Sequence, residues 1–116
     1  MFQLVKKDGK RMKWLKIKKQ SDFQKLFAKG KRFYAPTFTL LYMPSETLWM
    51  GISVGKKHGK AVKRNRLKRL LREAFKNVQP LKKGGRFIFL PKPAEKYAYR
   101  DFENQLRCLM EKEKFL

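Results

Sequence analysis

The chain has 116 residues, with 31 Lys plus Arg against 9 Asp plus Glu, and so a formal net charge of +22. Hydrophobic residues make up 42% and aromatics 14%, enough for one packed core and too much for a disordered basic tail, so a single domain spanning residues 1–116 is expected. No apolar run is long enough for a membrane span or a secretory signal, and one Cys108 with one His58 supplies neither an internal disulfide nor four zinc ligands, so a cytoplasmic protein with no membrane partner is expected.

Met1 to Lys10 read as a flexible basic arm, and Leu15 and Ile17 as an extended lead-in. Ser21 can cap a first helix with Gln24 three residues on; Phe23, Leu26 and Phe27 share one face of it, and Gly30 can end it. Thr37 to Met43 and Thr47 to Val54 alternate as two strands around the turn at Pro44, Ser45 and Glu46. Leu67, Leu70, Leu71, Ala74, Phe75 and Val78 then recur at helical spacing, with Asn65, Arg69, Arg72 and Lys76 nearly opposite them on the wheel. Pro80, Gly84 and Gly85 break the chain before a strand at Arg86 to Leu90, which Pro91 and Pro93 stop. A closing helix buries Phe102, Leu106, Leu109 and Met110 and leaves Cys108 on its far side. The order of helix, two or three strands, helix, strand and helix is that of an α+β domain.

The charge is uneven. Met1 to Gln20 holds eight basic residues against Asp8, Lys56 to Lys76 holds ten against Glu73, and five of the nine acids follow Pro93. Such a self-repelling surface calls for a polyanionic partner. Nucleic acid suits it better than anionic lipid, because the basic segment is interleaved with a core-type apolar stripe and has no aromatic insertion face. A self-sufficient nuclease needs converging carboxylates or a His pair, and the acids are sparse, so no catalytic residue and no metal ligand is assigned. His58, between Lys57 and Gly59, reads as a solvated loop residue.

The segment from Gly55 to Arg69 instead reads as a phosphate clamp. Its glycines let backbone approach a phosphate chain, the next helix offers its first amides, and Arg64, Arg66, Arg69 and Arg72 make forked contacts that Lys cannot. Phe23 and Phe27, with Phe33, Tyr34, Phe38 and Tyr42 behind them, form a second constellation. These rings can stack on unpaired bases or belong to the core, and pattern alone leaves both open.

Lys56-Lys57, Gly59-Lys60-Ala61-Val62, Arg64-Asn65-Arg66, Lys68-Arg69 and Arg72-Glu73 resemble the signature of the bacterial ribonuclease P protein component. Asp22 to Phe27 with Gly30, and Gly51 to Val54, match that family's first helix and the strand before the signature; the resemblance runs from about Leu15 to Met110. It implies a two-layer sandwich of a four-stranded mixed sheet and three helices, like domain 2 of ribosomal protein uS5, with a left-handed βαβ crossover. It also implies the protein subunit of ribonuclease P, accessory to a catalytic RNA that removes the 5′ leader of precursor tRNA.

Carried over by resemblance, Lys56, Lys57, Lys60, Arg64, Asn65, Arg66, Arg69 and Arg72 contact that RNA, and Phe23, Phe27 and Lys68 line a leader cleft. The implied partners are the catalytic RNA, bound 1:1 by a monomer, and precursor tRNA. No cofactor is expected on the protein alone, and Mg2+ belongs to the holoenzyme. One departure concerns the strand from Phe38: the position where family members place a cleft aromatic falls on Leu41, and Tyr42 faces the other way, unless the strand slips by one residue. The alternative function is a ribosomal-type structural RNA-binding protein with no processing role.

Overall fold

The computed structural model describes residues 14–78, 81 and 84–115; the expected arm Met1 to Lys10 and the breaker Pro80 lie outside the described residues. The elements are β1 (Leu15–Lys16), α1 (Gln20–Lys29), β2 (Lys31–Tyr34), β3 (Phe38–Pro44), β4 (Leu48–Ile52), a 3-10 turn (Lys56–His58), α2 (Ala61–Asn77), β5 (Gly85–Pro91) and α3 (Tyr99–Lys112).

The strands form one mixed sheet in the order β1-β4-β5-β3-β2. β3 is antiparallel to β2 and β5, whereas β4 is parallel to β1 and β5, so the link from β4 to β5 through α2 is a βαβ crossover. The sheet has five strands and not the four expected. The lead-in at Leu15 pairs with β4 for two residues, and the Ile17 amide continues the ladder by donating to the Met50 carbonyl at 3.0 Å.

Alternation along the strands sorts the apolar residues onto two faces. Phe38, Leu40, Tyr42, Leu48, Met50, Phe87 and Phe89 meet Leu67, Leu71, Ala74 and Phe75 of α2 and Phe102, Leu106 and Met110 of α3 in the larger core. Leu41 and Ile88, on the reverse face, meet Ile17 and Leu26 of α1 in a smaller one. Tyr42 therefore lies in the larger core, its ring centroid 5.0 Å from Phe87 and 4.8 Å from Phe115. Leu41 faces α1, and the strand has not slipped. Gly85 permits this arrangement, since a Cβ there would collide with the Tyr42 ring.

α1 begins one residue before Ser21, with Lys19 at the N-cap and no side-chain cap, so Ser21 lies inside the first turn and not at its cap. Gly30 closes the helix, its amide donating to the Leu26 carbonyl at 2.8 Å. α3 is tied to the start of β3 by Gln105, whose Oε1 accepts from the amide and hydroxyl of Thr37 at 3.0 and 2.6 Å.

Candidate nucleic-acid interface

α2 spreads its cations in three directions, because residues advance about 100° around a helix. Leu67, Leu71, Ala74 and Phe75 point into the core, and Trp14, beside β1, packs edge-on against Phe75 at 5.1 Å. Arg64, Lys68 and Arg72 lie at four-residue spacing on the flank that carries Phe75, and all three are half-buried. Asn65 and Arg69 project outward and are exposed. Arg66 and Lys63 lie on the opposite flank, toward residues 95–97.

Among the described residues no carboxylate lies within ion-pair distance of any cation of α2; the ion pair found is Glu103 with Arg107 of α3, at 3.5 Å. The helix has Lys60 at its N-cap, no side-chain cap and no acid in its first turn, so its free amides add to the positive potential of Lys63 and Arg64. The Nε of Arg64 is buried with no hydrogen-bond partner. Cations crowded at the positive end of a helix dipole destabilise each other, and an anion there relieves that repulsion.

The loop before α2 holds Lys56 and Lys57 exposed on the 3-10 turn. Gly59 sits at a φ of 104°, where a side chain is strained, and a Cβ there would also strike the Lys63 side chain. Gly55 is extended at a φ of −145° with open space around it, so the fold itself does not require glycine at that position.

His58 departs from the expected solvated loop residue, being only 2% exposed. Its Nδ1 accepts from the Gly55 amide at 3.0 Å, and its Nε2 faces the Pro91 carbonyl at 2.7 Å. An amide can only donate, so Nδ1 is the acceptor and the ring proton sits on Nε2, donated to Pro91. The imidazole thus pins the basic loop to the end of β5. The sequence held no sign of this, because the second partner is 33 residues away.

On the reverse face, Phe23 lies over Gly51, where an added Cβ would stand 3.2 Å from the ring's Cζ. Phe23 is half-buried and Phe27 is 38% exposed, so α1 presents both rings beside the sheet without burying either. Phe33 and Phe38, weighed with them as possible platforms, are core residues. Tyr34 is 74% exposed on the edge strand. Lys68 is in the other layer, on the α2 flank nearest Trp14 and β1, and is not placed against either ring.

An α+β domain whose cation-bearing helix has no carboxylate partner among the described residues, and which presents two partly exposed aromatic rings on the other side of its sheet, has the surface of a nucleic-acid-binding protein. The profile of the Ribonuclease P family matches residues 12–114. The ribonuclease P protein component of Clostridioides difficile is 35% identical over 102 residues, covering 83% of this chain and 89% of that one. The Bacillus velezensis protein of the same name is 38% identical over 101 residues, with coverage of 84% and 87%. Among solved structures, the Staphylococcus aureus RNase P protein superposes with a TM-score of 0.76 at 31% identity, over 89% of this chain and 98% of that one. The Thermotoga maritima RNase P protein gives 0.70 at 29%, over 84% and 96%.

The chain belongs to the ribonuclease P protein component family, whose role is tRNA 5′ processing within an endoribonuclease complex, and this membership implies partnership with the ribonuclease P RNA. No helix among the described residues is long and apolar enough to cross a membrane.

Proposed function

We propose that this protein is the accessory subunit of ribonuclease P, with the catalytic centre in the RNA, and that it works through two surfaces. Lys56, Lys57, Lys60, Arg64, Asn65, Arg66, Arg69 and Arg72 neutralise phosphates of the catalytic RNA. Phe23 and Phe27 stack on the unpaired 5′ leader of precursor tRNA, while Lys68 meets the leader backbone at the β1 edge. The observation that carries this reading is the cation set of α2, which has no carboxylate partner within the described residues and stands in a different layer from the two open rings. One monomer serves one RNA, and the Mg2+ ions of the reaction are held by the RNA, where the added cations strengthen folding by screening phosphates.

Reconstitution with a bacterial ribonuclease P RNA at low Mg2+ tests it. Added protein is expected to restore leader cleavage and to favour precursor over mature tRNA. Absence of stimulation with RNAs from several lineages would overturn the assignment, and stimulation without preference for precursor would reduce the protein to a structural RNA binder.

A further inference from the structure

The flank of α2 turned away from Arg64 and Lys68 borders a groove of about 700 Å³ that shares Lys60 and Arg66 with the RNA-binding surface above and whose apolar lining that surface leaves unassigned. Val62, 82% exposed in the first turn of the helix, stands on one wall with the half-buried Leu70, and residues 95–97 form the other. That second wall is held in place. The Tyr97 ring stacks on Phe102 at 5.9 Å and 22°, and its hydroxyl accepts from the Ala94 amide at 3.0 Å and donates to the Lys92 carbonyl at 2.9 Å. Lys63 closes the floor, its ammonium donating to the Ala94 carbonyl and lying 5.5 Å from the centre of the Tyr97 ring.

Lys60, Arg66 and Lys96 stand around this apolar slot with Glu95 as the single carboxylate of its lining. Apolar walls rimmed by cations complement a flat ring joined to a phosphate. We infer that the groove takes one unpaired nucleotide of the RNA partner, its base lodged between Val62, Leu70 and Tyr97 and its phosphate held by Lys60 and Arg66. Glu95 fits the same ligand, because it can accept from an exocyclic amine of the base, whereas it would repel a phosphate. The Tyr97 face of that wall is already fixed by its own contacts, which lowers the ordering entropy that opposes binding there. α2 then grips its RNA from both flanks, by phosphates alone on one side and by an extruded base on the other.

This inference rests on the RNA partnership proposed above, and the test separates the two. Val62→Trp fills the groove without changing charge, and an exposed site tolerates it in the fold. Its affinity for the ribonuclease P RNA is expected to fall about tenfold, with the slope of log affinity against log salt changing by no more than about 1, the share of the one phosphate held at the groove. A photoreactive benzophenone side chain at position 62 is expected to crosslink to one unpaired nucleotide. Wild-type affinity in Val62→Trp, or crosslinks spread along a duplex, would overturn the inference while leaving the RNA partnership standing. Failure of the wild-type chain to bind the RNA would overturn both.

Discussion

Replacing His58 by Ala removes a ring that satisfies two groups of otherwise separate segments. The Gly55 amide loses its acceptor and the Pro91 carbonyl loses its donor, in a position only 2% exposed. Each orphaned buried group costs about 1–3 kcal/mol. Gly55 is itself only half-buried and can admit water, so the total is set at about 3 kcal/mol. A domain of this length loses roughly 4 °C of melting temperature per kcal/mol, giving a fall of about 12 °C by circular dichroism. His58→Asn keeps an acceptor near Nδ1 but cannot reach Pro91, and is expected to recover about half the loss. Because the ring anchors the turn bearing Lys56 and Lys57, the Ala variant is also expected to bind RNA more weakly at temperatures where it is fully folded. Nitrogen chemical shifts of the wild-type imidazole report the tautomer directly. A melting temperature within about 2 °C of wild type, or a ring protonated on Nδ1 alone, would refute the pinning.

Three other outcomes follow from the described contacts. If the basic face makes about six phosphate contacts, RNA affinity falls roughly a thousandfold between 50 and 200 mM salt, and a flat titration contradicts the clamp. Phe27→Ala, at a ring already more than a third exposed, costs about 1–2 kcal/mol of stability and selectively weakens preference for precursor tRNA, whereas Arg64→Ala weakens RNA assembly generally; equal effects on both assays would show that the surfaces are not separate. Burial raises the ionisation of Tyr42 above its ordinary value of 10.0, so the folded state holds that proton more tightly than the unfolded chain. Its contribution is complete below pH 10 and declines above it, and denaturant titrations from pH 9 to 11 should show a shallower decline in Tyr42→Phe than in wild type.

Elements set by local spacing were legible in the chain. Leu67 to Val78 announced α2, and the count from Phe38 already placed Leu41 and Tyr42 on opposite faces, because strand parity depends on the strand alone. Features built by distant partners were not. β1 exists only because Leu15 and Lys16 lie beside Trp49 and Met50, and two residues carry no period. His58 owes its burial to Pro91. The capping pattern at Ser21 misled because Lys19 already supplies the extended N-cap geometry, and the hydroxyl caps nothing. The clamp was visible as a run of cations, and helical spacing alone sets Arg64 and Lys68 together on one flank, but what each flank faces needed Trp14 and Tyr97.

The aromatic residues show how so repulsive a surface is carried by so small a domain. Phe38, Phe75, Phe87, Phe89, Phe102 and Phe115 are all fully buried in the core beneath α2 and α3, where each contributes about 1.5–3 kcal/mol. Phe115 is brought back over Phe33, Tyr42 and Phe87 by Lys114, whose φ of 63° turns the chain after α3. That concentration lies directly under the helix bearing the unpaired cations, so the densest packing backs the face with the strongest repulsion. Among the described residues the layer under α1 fully buries Ile17, Leu26, Leu41 and Ile88, none of them aromatic, with Phe23 and Trp49 packed against them. Phe23 packs at the margin of this small aliphatic core and Phe27 lies beyond it, each with part of its ring left open to a ligand, because the sheet's other face has taken the rings that stability requires.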